Sequence, residues 1–359
     1  TISPSEYEYI FDHAEIKCVF ISDKLLRKKI LPALSKSSQI KGVFTFDEVE
    51  EVQHWKTLFT DEKIEQIDTI KNKIQDDEVA TIIYTSGTTG IPKGVMLSHK
   101  NIMSNVLDCA QVVPIDYKDK VLSFLPLCHV FERILNYTYM YNGASVYYAD
   151  GLESIANNLN DIRPQYFASV PRLMEKIYEN ILRKSRKLSP AKRKLFNWSL
   201  KIAEFTPIDG SASAIQKFKL AIADKLVLNK LRAAVGGQVK AIICGSAPLQ
   251  PRLATIFNNA GIPLLEGYGL TETSPVLTVN PFKKNAIRAG SVGTTLPSVQ
   301  IKIAEDGEIL AKAPSVMLGY YKDEESTKAS FTVDGWLKTG DIGHFTDDDR
   351  VLEYINSND

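Results

Sequence analysis

The sequence has little cysteine, no excess of charge of either sign and no long apolar run. Cys18, Cys109, Cys128 and Cys244 are scattered without a CxxC pair. That excludes a disulfide framework and a zinc ribbon and points to a reducing compartment, here expected to be the cytoplasm. Lys+Arg (43) balance Asp+Glu (43). A dedicated nucleic-acid binder would usually be basic, so no nucleic-acid partner is expected. No stretch of about 18 apolar residues is present, so no membrane-spanning helix is expected. Neither a signal peptide nor an initiator Met opens the sequence, and Thr1 is therefore expected not to be the natural start. There is no internal repeat and no low-complexity tract.

What is present is ordinary globular composition, 44% hydrophobic and 24% charged over 359 residues. That length suggests roughly two domains. Short apolar runs alternate with helical patterns. Strands are expected at Lys17–Ser22, Lys41–Phe46, Val79–Thr85, Val121–Leu125, Ser145–Ala149, Tyr166–Val170 and Val239–Cys244. Asp23, Asp47 and Ser98 are expected to open helices, the last running to about Val112. This rhythm predicts an α/β fold of layered, mostly parallel sheets covered by helices. Beyond about Pro281, alternation in Ser298–Ile303, a turn at Glu305-Asp306-Gly307 and a strand at Glu308–Lys312 predict a hairpin. The expected organisation is an α/β core over 1–285, its N-terminal portion incomplete, and a small β-rich, barrel-like subdomain over 286–359.

The segment from Thr85 through Ser86, Gly87, Thr88, Thr89, Gly90, Ile91 and Pro92 to Lys93 and Gly94 follows a strand directly. Glycines let backbone N–H groups approach an anion, hydroxyls add donors and lysine adds charge. It is a phosphate-cradling composition without the GxxxxGK[ST] spacing of a Walker A loop. A second polar feature is the run 183–194, RKSRKLSPAKRK, with seven basic residues. It reads as a solvated loop between helices, or as a patch for anionic lipid heads or cofactor phosphates.

The Thr85–Gly94 segment resembles the signature loop of the acyl-adenylate-forming enzymes. Three further segments match that superfamily in order: Gly245-Ser246-Ala247-Pro248, Glu266-Gly267-Tyr268-Gly269-Leu270-Thr271-Glu272, and Trp336-Leu337-Lys338-Thr339-Gly340-Asp341. Pro126–Arg133 and Val170–Tyr178 look like the long-chain fatty acyl-CoA synthetases within it. The resemblance implies two half-reactions. A fatty carboxylate attacks the α-phosphorus of ATP, giving acyl-adenylate and pyrophosphate, and CoA then displaces AMP to give a thioester.

By the same resemblance, Thr85 to Gly90 and Lys93 would cradle the β- and γ-phosphates. Thr85 and Glu272 would hold Mg²⁺, and Thr271 would donate to the α-phosphate. Gly245, Ser246, Ala247 and Pro248 with Glu266, Gly267 and Tyr268 would flank adenine, Gly269 continuing that motif. Tyr268 could equally be a core residue. Asp341 would accept from the ribose hydroxyls. His129 would line the site beside the carboxylate and the path to CoA, with no proton-transfer role assigned. Val130, Phe131, Ile243, Leu265 and Leu270 are tunnel candidates for the acyl chain, each equally explicable as core. In the family a hinge and a mobile C-terminal domain carrying an adenylation lysine follow the ribose aspartate. Only 18 residues follow Asp341, so the expectation is a large-domain fragment. Other readings are an adenylating relative that loads a carrier protein, and a MgATP-binding module with little turnover.

Overall fold

The computed structural model describes residues 2–60, 66–85, 90–151, 153–283, 286–346 and 351–354, with backbone alone at 66 and 351–354. The phosphate-loop residues Ser86, Gly87, Thr88 and Thr89 therefore lie outside the described residues.

Four sheets organise the described chain. At the front, Cys18–Ile21, Gly42–Thr45 and Gln53–His54 pair in parallel. Asp23 caps the intervening helix, its carboxylate accepting from Leu26 N–H at 2.9 Å. Asp47, by contrast, opens no helix. The chain turns at Glu51, whose φ is +62°, and Gln53–His54 joins the sheet instead. His54 Nε2 lies 2.9 Å from the Phe46 carbonyl and closes that turn. Long-range pairing has overridden a local helix signal.

Val79–Thr85 also departs from the parallel expectation. It forms an antiparallel hairpin with Lys93–Ser98, Thr85 opposite Lys93, and Gly319–Tyr320 returns from far along the chain to add a third strand. The register places the predicted loop between two paired strand ends.

The central sheet has seven strands. From one edge they are Thr294–Thr295, Val276–Val279, Leu264–Gly269, Ala241–Cys244, Tyr166–Ser169, Lys120–Ser123 and Ser145–Tyr148. The last five are parallel, and Val276–Val279 runs antiparallel to both of its neighbours. Tyr166–Ser169 and Ala241–Cys244 are buried along their whole length, as strands covered on both faces must be. One core lies between the sheet and the helices Pro171–Ser185, Pro190–Phe205 and Pro251–Asn259. The other includes Cys109, Leu135 and Tyr139 from the helices His99–Val112 and Val130–Tyr141.

His99–Val112 starts and stops where the sequence predicts, with Ser98 and Asn101 forming a reciprocal cap. Its buried polar side chains reach across the fold. Asn105 binds both the carbonyl of Val276, at 2.7 Å, and its N–H, at 3.2 Å. Asn101 donates at 2.8 Å to the carbonyls of Pro314 and Val316. Asp108 accepts from the hydroxyl of Ser298. One helix thus ties down three distant segments. The β-rich part is a four-stranded antiparallel sheet ordered Gln300–Ile303, Glu308–Lys312, Leu337–Phe345, Val351–Tyr354.

Candidate active site

The chain passes from Lys120–Ser123 to its neighbour on one side, Ser145–Tyr148, and then returns to Tyr166–Ser169 on the other. Such a reversal opens a crevice at the carboxyl ends of the strands. The segments leaving those ends are Pro126–His129, Val170–Pro171, Gly245–Pro248 and Gly269–Glu272. They are four of the segments singled out by sequence.

The last of these is fixed by backbone packing. A Cβ on Gly269 would stand 1.7 Å from the Pro275 carbonyl oxygen, and one on Gly267 would meet the Thr278 carbonyl at 3.1 Å. Only glycine fits the first position, because no real Cβ approaches backbone oxygen so closely. Ser274 turns the chain at φ +66°. Buried Thr273 stitches the turn: its hydroxyl accepts from Leu270 N–H at 2.9 Å and lies 2.5 Å from the Pro275 carbonyl. Glu272 is thereby presented on a short 3₁₀ turn, Thr271–Thr273.

Glu272 connects to the hairpin sheet. Its backbone carbonyl accepts from Met317 N–H at 2.8 Å. Its side chain accepts from the Tyr320 hydroxyl at 2.9 Å. Burial, reinforced by the Glu272 charge, raises the Tyr320 phenol to about 12, so it stays a donor. Lys93 Nζ sits 5.0 Å from the centre of the same ring, a cation–π distance. Lys93, Tyr320 and Glu272 thus form one line of contacts across the two sheets.

Asp341, on Leu337–Phe345, accepts from the Tyr268 hydroxyl at 2.8 Å. The Tyr268 ring is buried, at 6% exposure, within the core. Glu266 is buried and accepts from Gly290 N–H at 3.4 Å. Ser246 takes φ +68°, a left-handed geometry that re-aims the chain after Ala241–Cys244. A Cβ on Gly245 would meet the Phe131 ring at 3.2 Å, so that ring closes over the loop.

His129 is exposed at the N-cap of Val130–Tyr141 and makes no side-chain cap. Behind it lies a buried carboxyl. Glu132 is 1% exposed, with Ser123 Oγ at 2.5 Å and Asn136 Nδ2 at 3.3 Å from Oε1. Burial pushes its carboxyl above the usual range, against those hydrogen bonds.

Of the predicted residues, Thr85, Gly90 and Lys93 flank the loop. Thr271, Glu272, Gly245 to Pro248, Glu266 to Gly269, and His129 gather at the sheet's carboxyl ends or on the segments leaving them. Asp341 reaches them through Tyr268. Among the tunnel candidates, Val130, Ile243 and Leu265 are buried in core clusters, while Phe131 and Leu270 are partly buried beside the loops. Tyr320, Asn105 and Thr273 were missed. Each acts through contacts that no local pattern signals.

Fold and loops together are those of an adenylate-forming enzyme. Residues 1–321 match the family of AMP-binding enzymes, and the chain belongs to it. A long-chain-fatty-acid–CoA ligase of Mycobacterium bovis is 34% identical over 284 residues, covering 77% of this chain and 46% of that protein. Peroxisomal long chain acyl-CoA synthetase 6 of Arabidopsis thaliana is 31% identical, covering 96% of this chain and 51% of that protein. The chain thus spans about half the length of the curated relatives it matches. Among solved structures, apo MatB of Rhodopseudomonas palustris aligns with all of this chain and 62% of its own, with TM-score 0.70 and 23% identity. O-succinylbenzoate coenzyme A synthetase of Bacillus subtilis, in complex with ATP and magnesium ion, covers 99% of this chain and 64% of its own, with TM-score 0.67 and 21% identity. At these identities the structural likeness speaks to fold alone.

Proposed function

We propose that this chain is the nucleotide- and acyl-binding part of a long-chain fatty acid–CoA ligase, working through an acyl-adenylate. The observation that carries this reading is the line Lys93–Tyr320–Glu272. It joins the loop hairpin to the sheet's carboxyl end and brings a cation and a carboxylate to one place. The names of the relatives and the segments Pro126–Arg133 and Val170–Tyr178 support a long-chain acyl substrate. The 1–285 core and the 286–359 β-rich subdomain are part of the same proposal.

The first half-reaction brings a carboxylate anion against a polyanion, so charge must be neutralised and attack aligned. Lys93, Thr85 and the loop would hold the β- and γ-phosphates, and Thr271 the α-phosphate. Asp341, oriented by Tyr268, would accept from the ribose hydroxyls, with Gly245–Pro248 and Glu266–Gly267 beside adenine. No group of three His, Cys, Asp or Glu that could hold a metal occurs among the described residues. Mg²⁺ binds through one or two carboxylates with substrate phosphate oxygens. Glu272 and Thr85 would be its protein ligands. When bound, the ion would spread the charge developing on the phosphates. CoA would be the thiol acceptor, and a reducing, cytoplasmic setting suits the four free cysteines.

The test is pyrophosphate exchange driven by a panel of carboxylates, run on the longer protein and on this chain. Fatty acids of palmitate length should stimulate exchange. Stimulation by aryl or amino acids alone would sink the acyl assignment. Lys93→Ala and Glu272→Ala should each weaken MgATP binding by tenfold or more, on the order of 1.4 kcal/mol. Unchanged binding in both would reject the site.

A further inference from the structure

Helix Ala214–Ala223 (AIQKFKLAIA) turns an apolar stripe outward. Ile215 and Phe218 are each 68% exposed, Ile222 37% and Leu226, just beyond it, 42%. At the α-helical repeat Ile215, Phe218 and Ile222 cover about 60° of one side, and Leu226 follows on the π-helical turn Asp224–Leu228. Exposed Lys219 and Lys225 fall on either flank of that stripe. The opposite side of the helix is accounted for: Leu220 and Ala223 pack inward. Leu220 and Lys217 also border a cavity of about 1030 Å³ at the amino end of the central sheet. A single exposed apolar residue is ordinary, but four in register are not.

The neighbouring helix, Pro190–Phe205, packs on this one and extends the feature. Its last residue, Phe205, is 71% exposed. Its first turn lies inside the basic run 183–194, which straddles the turn between helices Pro171–Ser185 and Pro190–Phe205. A chain of formal net charge zero has placed seven of its cations at the start of this helix pair. An apolar stripe edged by lysines is the pattern of a helix lying in a membrane interface. There the apolar side chains enter the acyl boundary and the ammonium groups meet anionic heads. No helix here is long and apolar enough to cross a membrane.

We propose that the pair Pro190–Phe205 and Ala214–Ala223 is a docking face for an anionic bilayer surface. Phe218 and Ile215 insert, and Lys219, Lys225 and the 183–194 run set the charge preference. Helix Ala214–Ala223 borders the cavity at the amino end of the sheet, whereas the nucleotide loops leave its carboxyl end.

The experiment is co-sedimentation of the chain with phosphatidylcholine vesicles containing none or about 30% phosphatidylserine. Expected are binding to the anionic vesicles, at least tenfold less binding to the neutral ones, and weakening by salt. The pair Ile215→Glu and Phe218→Glu should lower binding at least tenfold at unchanged thermal midpoint. Lys219→Glu with Lys225→Glu should weaken the preference for phosphatidylserine severalfold, and neutralising the cations of 183–194 as well should erase it. Phe218→Trp should add an emission component that shifts to the blue with anionic vesicles. Absent vesicle binding, glutamate variants that bind like the wild type, or a tryptophan component that stays unshifted would each overturn the proposal. So would a concentration-dependent dimer that the glutamate variants dissolve while vesicle binding persists, since the face would then belong to a second copy.

Discussion

The two ends of the central sheet are built on opposite rules. At the carboxyl end one connection, the turn after Leu264–Gly269, is fixed by buried polar side chains paired with its backbone. Thr273 and Asn105 hold it, and Gly269 lies against Pro275 with no room for a methyl. At the amino end the connection 206–213 and the residues before Leu264 border an open cavity, and an apolar helix faces outward. A group that must meet a polyanion has to be held in place before the ligand arrives, because orientation and preorganised charge supply the catalytic advantage. A surface that meets something deformable needs only exposed apolar area and charge at its margin.

That contrast can be broken. Gly269→Ala should have the largest effect, about 3 kcal/mol or more in urea unfolding, because the backbone must move to admit the methyl. Wild-type stability would show that the turn yields. Asn105→Ala strands the N–H and carbonyl of Val276 and should cost about 2 to 4 kcal/mol, with weaker MgATP binding through the displaced Glu272 turn. Glu132→Gln tests the buried carboxyl by pH. With its folded pKa raised, Glu132 favours the folded state most at acid pH. That contribution disappears as pH rises from the ordinary carboxylate range through the raised value. The variant should be flat over that window and no less stable than wild type at neutral pH. The smallest effect should be Phe218→Ser at the amino end, within about 0.5 kcal/mol in thermal melts, while vesicle binding falls.

Much of the fold could be read locally. Helix His99–Val112 and strands Val79–Thr85 and Glu308–Lys312 have the predicted bounds, because capping residues and a clear apolar period sat at their ends. Lys93–Ser98 was not seen as a strand: buried on both faces over most of its length, it shows no alternation. Asp47 misled because a good N-cap residue says nothing about a sheet edge waiting for Gln53–His54. The motif residues were found from composition and resemblance. Their supports were not, since Tyr320 is 48 residues from Glu272 and Asn105 is 171 from Val276.

The sequence by itself determined the chemistry on offer: a glycine- and hydroxyl-rich loop with a lysine, carboxylates in two later motifs, few and scattered cysteines and balanced charge. Those follow from residue type and short spacing, which survive any arrangement of the rest. Only the tertiary structure decided that Lys93 and Glu272 share Tyr320, that Tyr268 spends its hydroxyl on Asp341, and that an apolar stripe on Ala214–Ala223 points outward. The physical reason is that a side chain's partner and exposure are set by what packs against its element. That depends on strand order and on contacts between residues far apart in the chain, which no local pattern encodes.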